Sequence, residues 1–183
     1  MTELEKAREI FANDLYATEA TDVQIDEVGE HYSKCSFMLA KKHQNAYGGL
    51  MGGAIFTLAD FAFAVASNFN AEKKTVSLSS QITYLGMAKG KKISAETRLI
   101  KDGRSTCFYE IDITDDVGTK IAFVTINGMH LLIWKDNKII KQKAKNILRL
   151  INRGVRFGIT QPNVLKIKEE LLKDIKNAQN NCR

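Results

Sequence analysis

The longest apolar segment of the chain runs from Gly49 to Asn68, and Asp60 is the single carboxylate inside it. When this segment is drawn as a helix, apolar side chains cover almost its whole circumference. A helix that is apolar on all sides is buried on all sides. Its many alanines and glycines permit the close approach of a sheet. We therefore predict one long central helix that a sheet wraps around.

The segments on either side of this helix have patterns typical of one further helix and of six strands. Residues 3–17 have helical spacing, and residues 18–21 are predicted to form a loop. Alternation of apolar and polar residues predicts two strands before the central helix and four after it. The predicted strands are 23–28, 31–39, 75–85, 92–102, 104–115 and 120–133. We expect the last four to form an antiparallel meander, with a tight hairpin at Asp102-Gly103. The predicted class is α+β, a curved antiparallel sheet around one helix.

Charge divides the chain into two parts. Residues 1–133 hold 14 Lys and Arg against 17 Asp and Glu, whereas residues 134–183 hold 13 against 4. We predict a domain at 1–133 and a basic, helical extension at 134–183. The apolar stripes of the extension allow three interpretations: helices folded back on the domain, contact with an anionic surface such as a membrane or nucleic acid, or a weakly selected addition. We favour the first.

Composition excludes several classes of protein. No apolar run is long enough to cross a membrane without a charge, and the charged N-terminus does not resemble a signal peptide. Cys35, Cys107 and Cys182 are too scattered to indicate disulfides or a metal site. We therefore expect a cytoplasmic protein that has neither a metal nor a separate cofactor.

Candidate chemistry lies where the central helix begins. Four glycines occupy six positions at 48–53, so backbone N–H groups are exposed at the positive end of the helix dipole. Asp60 follows two to three turns later, where an ionised carboxylate in an apolar helix needs a partner or a function. We therefore treat the start of this helix and Asp60 as the candidate functional region.

The segment from Asn45 to Asp60 resembles a motif of the hotdog-fold acyl-CoA thioesterases of the phenylacetic-acid-degradation type. The motif reads Asn-x-x-Gly-x-x-His-Gly-Gly-x-x-x-x-Leu-Ala-Asp, and the chain matches it at Asn45, Gly48, the Gly52-Gly53 pair and Leu58-Ala59-Asp60. The order of elements agrees as well, and the resemblance extends from about residue 8 to residue 131. The chain departs from the motif at Met51, where the family has histidine.

The resemblance implies a hotdog fold and the hydrolysis of short-chain, medium-chain or aryl acyl-CoA, with coenzyme A present only as part of the substrate. It implies that Asp60 attacks the thioester or activates water, and that the Gly52 N–H polarises the carbonyl group. Asn45 would orient the carboxylate or the water, and Ser77 would assist. It also implies a site shared between subunits of a homodimer or homotetramer. Further substrate contacts would come from Met51, Gly53, Lys89, Arg104, Ser105 and Thr106.

Each of these residues also has a structural interpretation. Asp60 can be a satisfied structural acid, the glycine pair can serve close packing, and Asn45 can cap the turn. Ser77 can be an ordinary strand residue. Because a thioether neither carries charge nor donates a strong hydrogen bond, Met51 leaves a second function open, a catalytically weak or silent acyl-CoA binder.

Overall fold

The computed structural model describes residues 1–131 and Arg149, so the rest of the predicted extension at 134–183 lies outside the described residues. Two helices and six strands form the described part, together with a π-helical turn at Tyr16–Ala20 and a 3₁₀ turn at Lys41–His43. The elements are α1 (Glu3–Phe11), β1 (Gln24–Gly29), β2 (Tyr32–Met38), α2 (Gly52–Asn68), β3 (Thr75–Tyr84), β4 (Lys92–Asp102), β5 (Thr106–Asp115) and β6 (Lys120–His130).

The first helix is shorter than its hydrophobic pattern predicts. Thr2 caps α1: its hydroxyl accepts from the Glu5 N–H at 3.2 Å, and the Glu5 carboxylate accepts from the Thr2 N–H at 2.7 Å. The helix ends at Phe11, not at residue 17. The predicted loop 18–21 is mostly a π-helical turn, in which the Thr18 hydroxyl donates to the Asp14 carbonyl oxygen at 2.9 Å. Such side-chain bonds to the backbone compete with a regular helix.

All six strands belong to one antiparallel sheet in the order β1-β2-β4-β5-β6-β3. The predicted four-stranded meander is therefore wrong, because β3 pairs with β6 and β4 pairs with β2. Of the four strands predicted as a meander, β4, β5 and β6 follow one another as hairpins, and β1 and β2 form a separate hairpin. After α2 the chain returns along the far edge of the sheet, and the later hairpins fill the space between β2 and β3. A period of two identifies strands without identifying their partners.

The prediction of a tight hairpin turn at Asp102-Gly103 is also wrong, because the loop is longer. Asp102 pairs with Cys107 across the β4–β5 turn, so four residues form the loop. The Gly103 N–H donates to the Thr106 carbonyl oxygen at 2.9 Å. A two-residue turn of this type needs positive φ at both central residues, and Gly103 is not among the glycines that adopt positive φ here.

The prediction of a central buried helix is confirmed. α2 contacts every strand of the sheet, and Leu58, Ala59, Ala62 and Val65 are completely buried. The Ser33 hydroxyl on β2 donates to the Ala62 carbonyl oxygen at 2.7 Å and so ties the sheet to the helix. Small side chains on α2 let the sheet come this close. The observed architecture is the α+β arrangement of a curved sheet around one helix.

None of the helices in residues 1–131 has the length and apolar character needed to cross a bilayer.

Candidate active site

The turn that precedes α2 is held by Asn45. Its Oδ1 atom accepts hydrogen bonds from the N–H groups of Tyr47 at 2.9 Å and Gly49 at 3.1 Å. Gly48 adopts a positive φ of 79°, a conformation that favours glycine. Asn45 therefore caps this turn, the structural role considered from the sequence. Its catalytic role stays a prediction.

Free backbone donors lie at the start of α2. Met51 is the N-cap residue, and its side chain makes no capping hydrogen bond. The N–H groups of Gly52 and Gly53 begin the helix and have no intrahelical acceptor. The Tyr84 hydroxyl on β3 donates to the Gly52 carbonyl oxygen at 3.2 Å, so a second polar group borders this end of the helix. The position suits a developing negative charge.

Asp60 lies half-buried on α2. Burial raises the pKa of its carboxyl group, and the negative charge of Asp14 raises it further. The Ser77 hydroxyl on β3 acts in the opposite direction, because a hydrogen-bond donor favours the ionised form. The structure thus brings Asp60 together with the predicted Ser77 and with Asp14, which no sequence pattern indicates. A carboxyl group with a raised pKa is a better base or nucleophile once ionised.

The remaining predicted substrate contacts lie at two different ends of α2. Tyr84, which bonds to Gly52, is followed by the loop that contains Lys89, whose backbone N–H donates to Asp115 at 2.8 Å. The segment 104–106 lies at the other end: the Ser105 carbonyl oxygen accepts from the His130 N–H at 2.9 Å. His130 pairs with Thr75, which in turn is hydrogen-bonded to Asn68 at the end of α2. Within one subunit, the segment 104–106 is therefore remote from Gly52.

Three possible metal ligands meet at that second end. One ligand atom each from Asp102, Cys107 and His130 lies within 4.8 Å of the other two. No local spacing in the sequence indicates this cluster.

The sheet edge formed by β3 is unusually exposed. Every residue from Val76 to Gln81 is exposed, including the apolar side chains of Val76 and Leu78. Within residues 1–131, β3 pairs with β6 alone, so in this part of the chain its other edge has free backbone donors and acceptors. Unpaired edges of this kind readily pair with another chain.

Asp14 and Tyr84 are the neighbours of the site that the sequence did not reveal. Asp14 lies beyond the end of α1, in a segment assigned to that helix by its hydrophobic spacing. Tyr84 ends a strand that has several other polar residues. Neither residue has a local pattern that separates it from ordinary surface positions.

Comparison with known proteins agrees with this geometry. Residues 47–122 match the family model of the thioesterase superfamily. The chain is 36% identical over 105 residues to an Archaeoglobus fulgidus protein named "Putative esterase", covering 57% of this chain and 68% of that protein. It is 30% identical over 99 residues to human acyl-coenzyme A thioesterase 13, covering 53% and 71%. The E. coli PaaI protein of the phenylacetic acid degradation operon superposes with a TM-score of 0.64 at 21% identity, covering 71% and 96%.

The chain belongs to the thioesterase superfamily. It is a thioester hydrolase with the hotdog fold, and the family resemblance inferred from the motif is confirmed.

Proposed function

We propose that the protein hydrolyses acyl-CoA thioesters, with short-chain, medium-chain or aryl acyl groups, to the free acid and coenzyme A. The observation that carries the proposal is Asp60. Burial and the charge of Asp14 raise the pKa of this carboxyl group. Asp60 lies on α2, the helix that begins with Gly52, and it is near Ser77 of β3. The likeness to acyl-coenzyme A thioesterase 13 supports coenzyme A as the thiol part of the substrate.

In the proposed reaction, ionised Asp60 either attacks the thioester carbonyl carbon or removes a proton from an attacking water. The Gly52 N–H donates to the oxygen that becomes negatively charged. Collapse of the tetrahedral intermediate breaks the carbon–sulfur bond, and the coenzyme A thiolate takes up a proton. If Asp60 attacks directly, water then hydrolyses the mixed anhydride and restores the carboxylate.

Helix geometry favours a site shared by two subunits. Gly52 and Asp60 are eight residues apart on α2, which at about 1.5 Å per residue is about 12 Å along the axis. One thioester carbonyl group cannot touch both groups of the same helix. We propose a homodimer in which Asp60 of one subunit meets Gly52 of its partner, with further assembly to a tetramer. The exposed β3 edge supports pairing at this place.

Thiol release from a series of acyl-CoAs tests the function. We expect Asp60→Asn to lower kcat at least 100-fold on every acyl-CoA that the wild type cleaves. Asp112→Asn is the matched control, because Asp112 is an exposed aspartate on β5. Equal rates for wild type and Asp60→Asn would refute the role of Asp60. The absence of turnover in the wild type on all acyl-CoAs would refute the function.

A silent acyl-CoA binder is the second candidate, and Met51 is the observation that favours it. Met51 caps α2 without a side-chain hydrogen bond, at the position where the family motif has histidine. A binder predicts that acyl-CoA raises the melting temperature of the protein while no thiol is released. An active enzyme releases thiol under the same conditions.

We infer a cytoplasmic location from the free thiols of Cys35 and Cys107, both buried and reduced. A fluorescent fusion found in a secreted or membrane fraction would contradict this location.

A further inference from the structure

Strand pairing brings together three side chains that can each bind a metal ion. Asp102 pairs with Cys107 across the β4–β5 turn, and Cys107 pairs with Gly128 on β6. Paired residues point to the same face of a sheet, as do residues two apart on one strand. Asp102, Cys107 and His130 therefore share the face toward α2. Their ligand atoms lie within 4.8 Å of one another, although 28 residues separate the first from the last.

Gly128 makes room for the thiol. A Cβ atom added at this glycine would lie 2.7 Å from the Cys107 Sγ atom, 2.7 Å from Phe63 and 2.8 Å from Thr75. Because real Cβ atoms do not approach other atoms this closely, any side chain at this position would force its neighbours to shift. The space that a side chain would fill is taken by the thiol, which stays beside His130.

Thr75 sets the orientation of the His130 ring. Its hydroxyl lies 2.9 Å from His130 Nδ1, while His130 Nε2 lies 2.8 Å from an Asp102 carboxylate oxygen. A histidine that binds a metal through one nitrogen almost always donates its other N–H to an oxygen, and the Thr75 oxygen is placed to accept it. Nε2 is then directed at the cluster.

This cluster does not have the arrangement of a nucleophilic cysteine with a histidine base. Both ring nitrogens of His130 already have oxygen partners, Thr75 and Asp102. Cys107 is 1% exposed, so a substrate carbonyl group cannot reach its sulfur. A small ion, which fits between the three ligand atoms, is the ligand that suits this geometry.

The cavity beside the cluster favours a cation. It has a volume of about 550 Å³. Within residues 1–131, its lining carries the carboxylates of Glu3, Glu30, Glu72 and Asp102 and one ammonium group, that of Lys73. The excess of negative charge raises the local concentration of cations. The opening also leaves room for a water molecule as the fourth ligand.

We propose that Asp102, Cys107 and His130 bind one Zn²⁺ ion, with water in the fourth position. A thiolate, an imidazole and a carboxylate form a ligand set that zinc accepts in tetrahedral geometry. Bonds of about 2.0–2.3 Å place tetrahedral ligand atoms roughly 3.3–3.7 Å apart. When zinc enters, the Asp102 oxygen and the His130 nitrogen, which are 2.8 Å apart, therefore separate slightly, and ligand atoms that lie farther apart than about 3.7 Å move closer. The Cys107 thiol loses its proton to solvent as the zinc–sulfur bond forms.

Within one subunit, the cluster lies at the opposite end of α2 from Gly52. The cavity is lined by Ala66, Ser67 and Phe69 near the end of α2, whereas Gly52 begins the same helix. We infer that zinc fastens the ends of β4, β5 and β6 together and so stabilises the fold.

Cobalt binding to the untagged chain of 183 residues tests the proposal. Co²⁺ takes the place of Zn²⁺, and a bound thiolate gives a charge-transfer absorption band in the near ultraviolet. The test uses Cys35→Ala/Cys182→Ser, in which Cys107 is the only remaining cysteine. We expect one Co²⁺ per chain with this band, and displacement of the cobalt by one equivalent of Zn²⁺. Absence of the band, or of stoichiometric binding in the folded protein, would overturn the proposal.

Single variants assign the ligands. We expect His130→Gln to weaken Zn²⁺ binding more than tenfold, and Thr75→Val to weaken it about 10- to 100-fold through the lost support of the imidazole. His31→Gln is the matched control, because His31 lines the same cavity without belonging to the cluster. Circular dichroism confirms the fold of each variant. Equal affinity in folded wild type and His130→Gln would contradict the proposed ligand set.

Discussion

Among individual residues, Asp60 is central to the proposed reaction because its surroundings make its carboxyl group a stronger base. Burial is the first cause of its raised pKa, and the charge of Asp14 is the second. The reaction requires the ionised form, so activity rises as the pH increases through the pKa of Asp60. The pH at which activity is lost on the acid side therefore reports the combined effect of burial and of the Asp14 charge on the pKa of Asp60.

The substitution Asp14→Asn tests this coupling. It removes a negative charge near Asp60, so the pKa of Asp60 falls and activity persists to lower pH. A profile of kcat/KM against pH measures the displacement of the acid limb. Glu9→Gln removes an exposed carboxylate of α1 that is not among the causes of the shift, and we expect its profile to match the wild type. An unchanged acid limb in Asp14→Asn would contradict the coupling.

Met51 gives the second prediction at the scale of residues. Its thioether lies at the N-cap of α2, beside the position where a Cβ of Gly53 would stand, and offers no strong donor. We expect Met51→His to supply one oriented hydrogen bond, worth about 1.4 kcal/mol, and to raise kcat/KM about tenfold. Met38→His places the same side chain on an exposed position of β2 as a control. Steady-state kinetics that show no gain would mean that the site does not use this position.

Among the elements, the contact between the sheet and α2 depends on glycine at two positions that differ in their surroundings. Gly128 on β6 faces the buried groups Phe63, Cys107 and Thr75. Gly52 faces only the hydroxyl end of Tyr84, whose side chain is 53% exposed and can move aside. An added methyl group is therefore expected to destabilise the fold more at Gly128 than at Gly52.

We expect Gly128→Ala to lower the free energy of unfolding by about 1–3 kcal/mol, because the core must shift to admit the methyl group. Gly52→Ala should lower it by less than about 1 kcal/mol, since alanine suits a helix better than glycine. Urea denaturation at equal protein concentration measures both. Similar losses for the two variants would show that the packing around Gly128 is looser than the structure indicates.

At the scale of the whole molecule, the exposed β3 edge connects assembly with activity in the proposed homodimer. Leu78 is 56% exposed on this edge strand. We expect Leu78→Lys to convert the dimer to a monomer and to abolish hydrolysis, because Asp60 then loses the Gly52 of the partner. Sedimentation equilibrium and thiol release measure the two effects together. Val117→Lys adds the same charge at an exposed apolar residue of the β5–β6 turn and should change neither. An active Leu78→Lys monomer would refute the shared site.

Much of the fold follows from local patterns in the sequence. The all-round apolar character of Gly49–Asn68 predicted the buried helix, which begins at Gly52 because Asn45 holds the preceding residues in a turn. Alternation identified all six strands within a few residues of their ends. The pairing of β3 with β6 could not be predicted, because alternation is the same for every partner. The four-residue loop after Asp102 was missed for a related reason: its length is fixed by the register of β4 against β5.

The sequence by itself determined the family, the central helix and Asp60 as the candidate acid, because these depend on spacing within one continuous segment. Only the tertiary structure decided which groups act on that acid. Asp14 and Ser77 are 46 and 17 residues from Asp60 along the chain, and folding places both near its carboxylate. The cluster of Asp102, Cys107 and His130 likewise depends on three strands in register. Charge and coordination depend on distance in space, and that distance is set by strand pairing and packing, which local patterns do not specify.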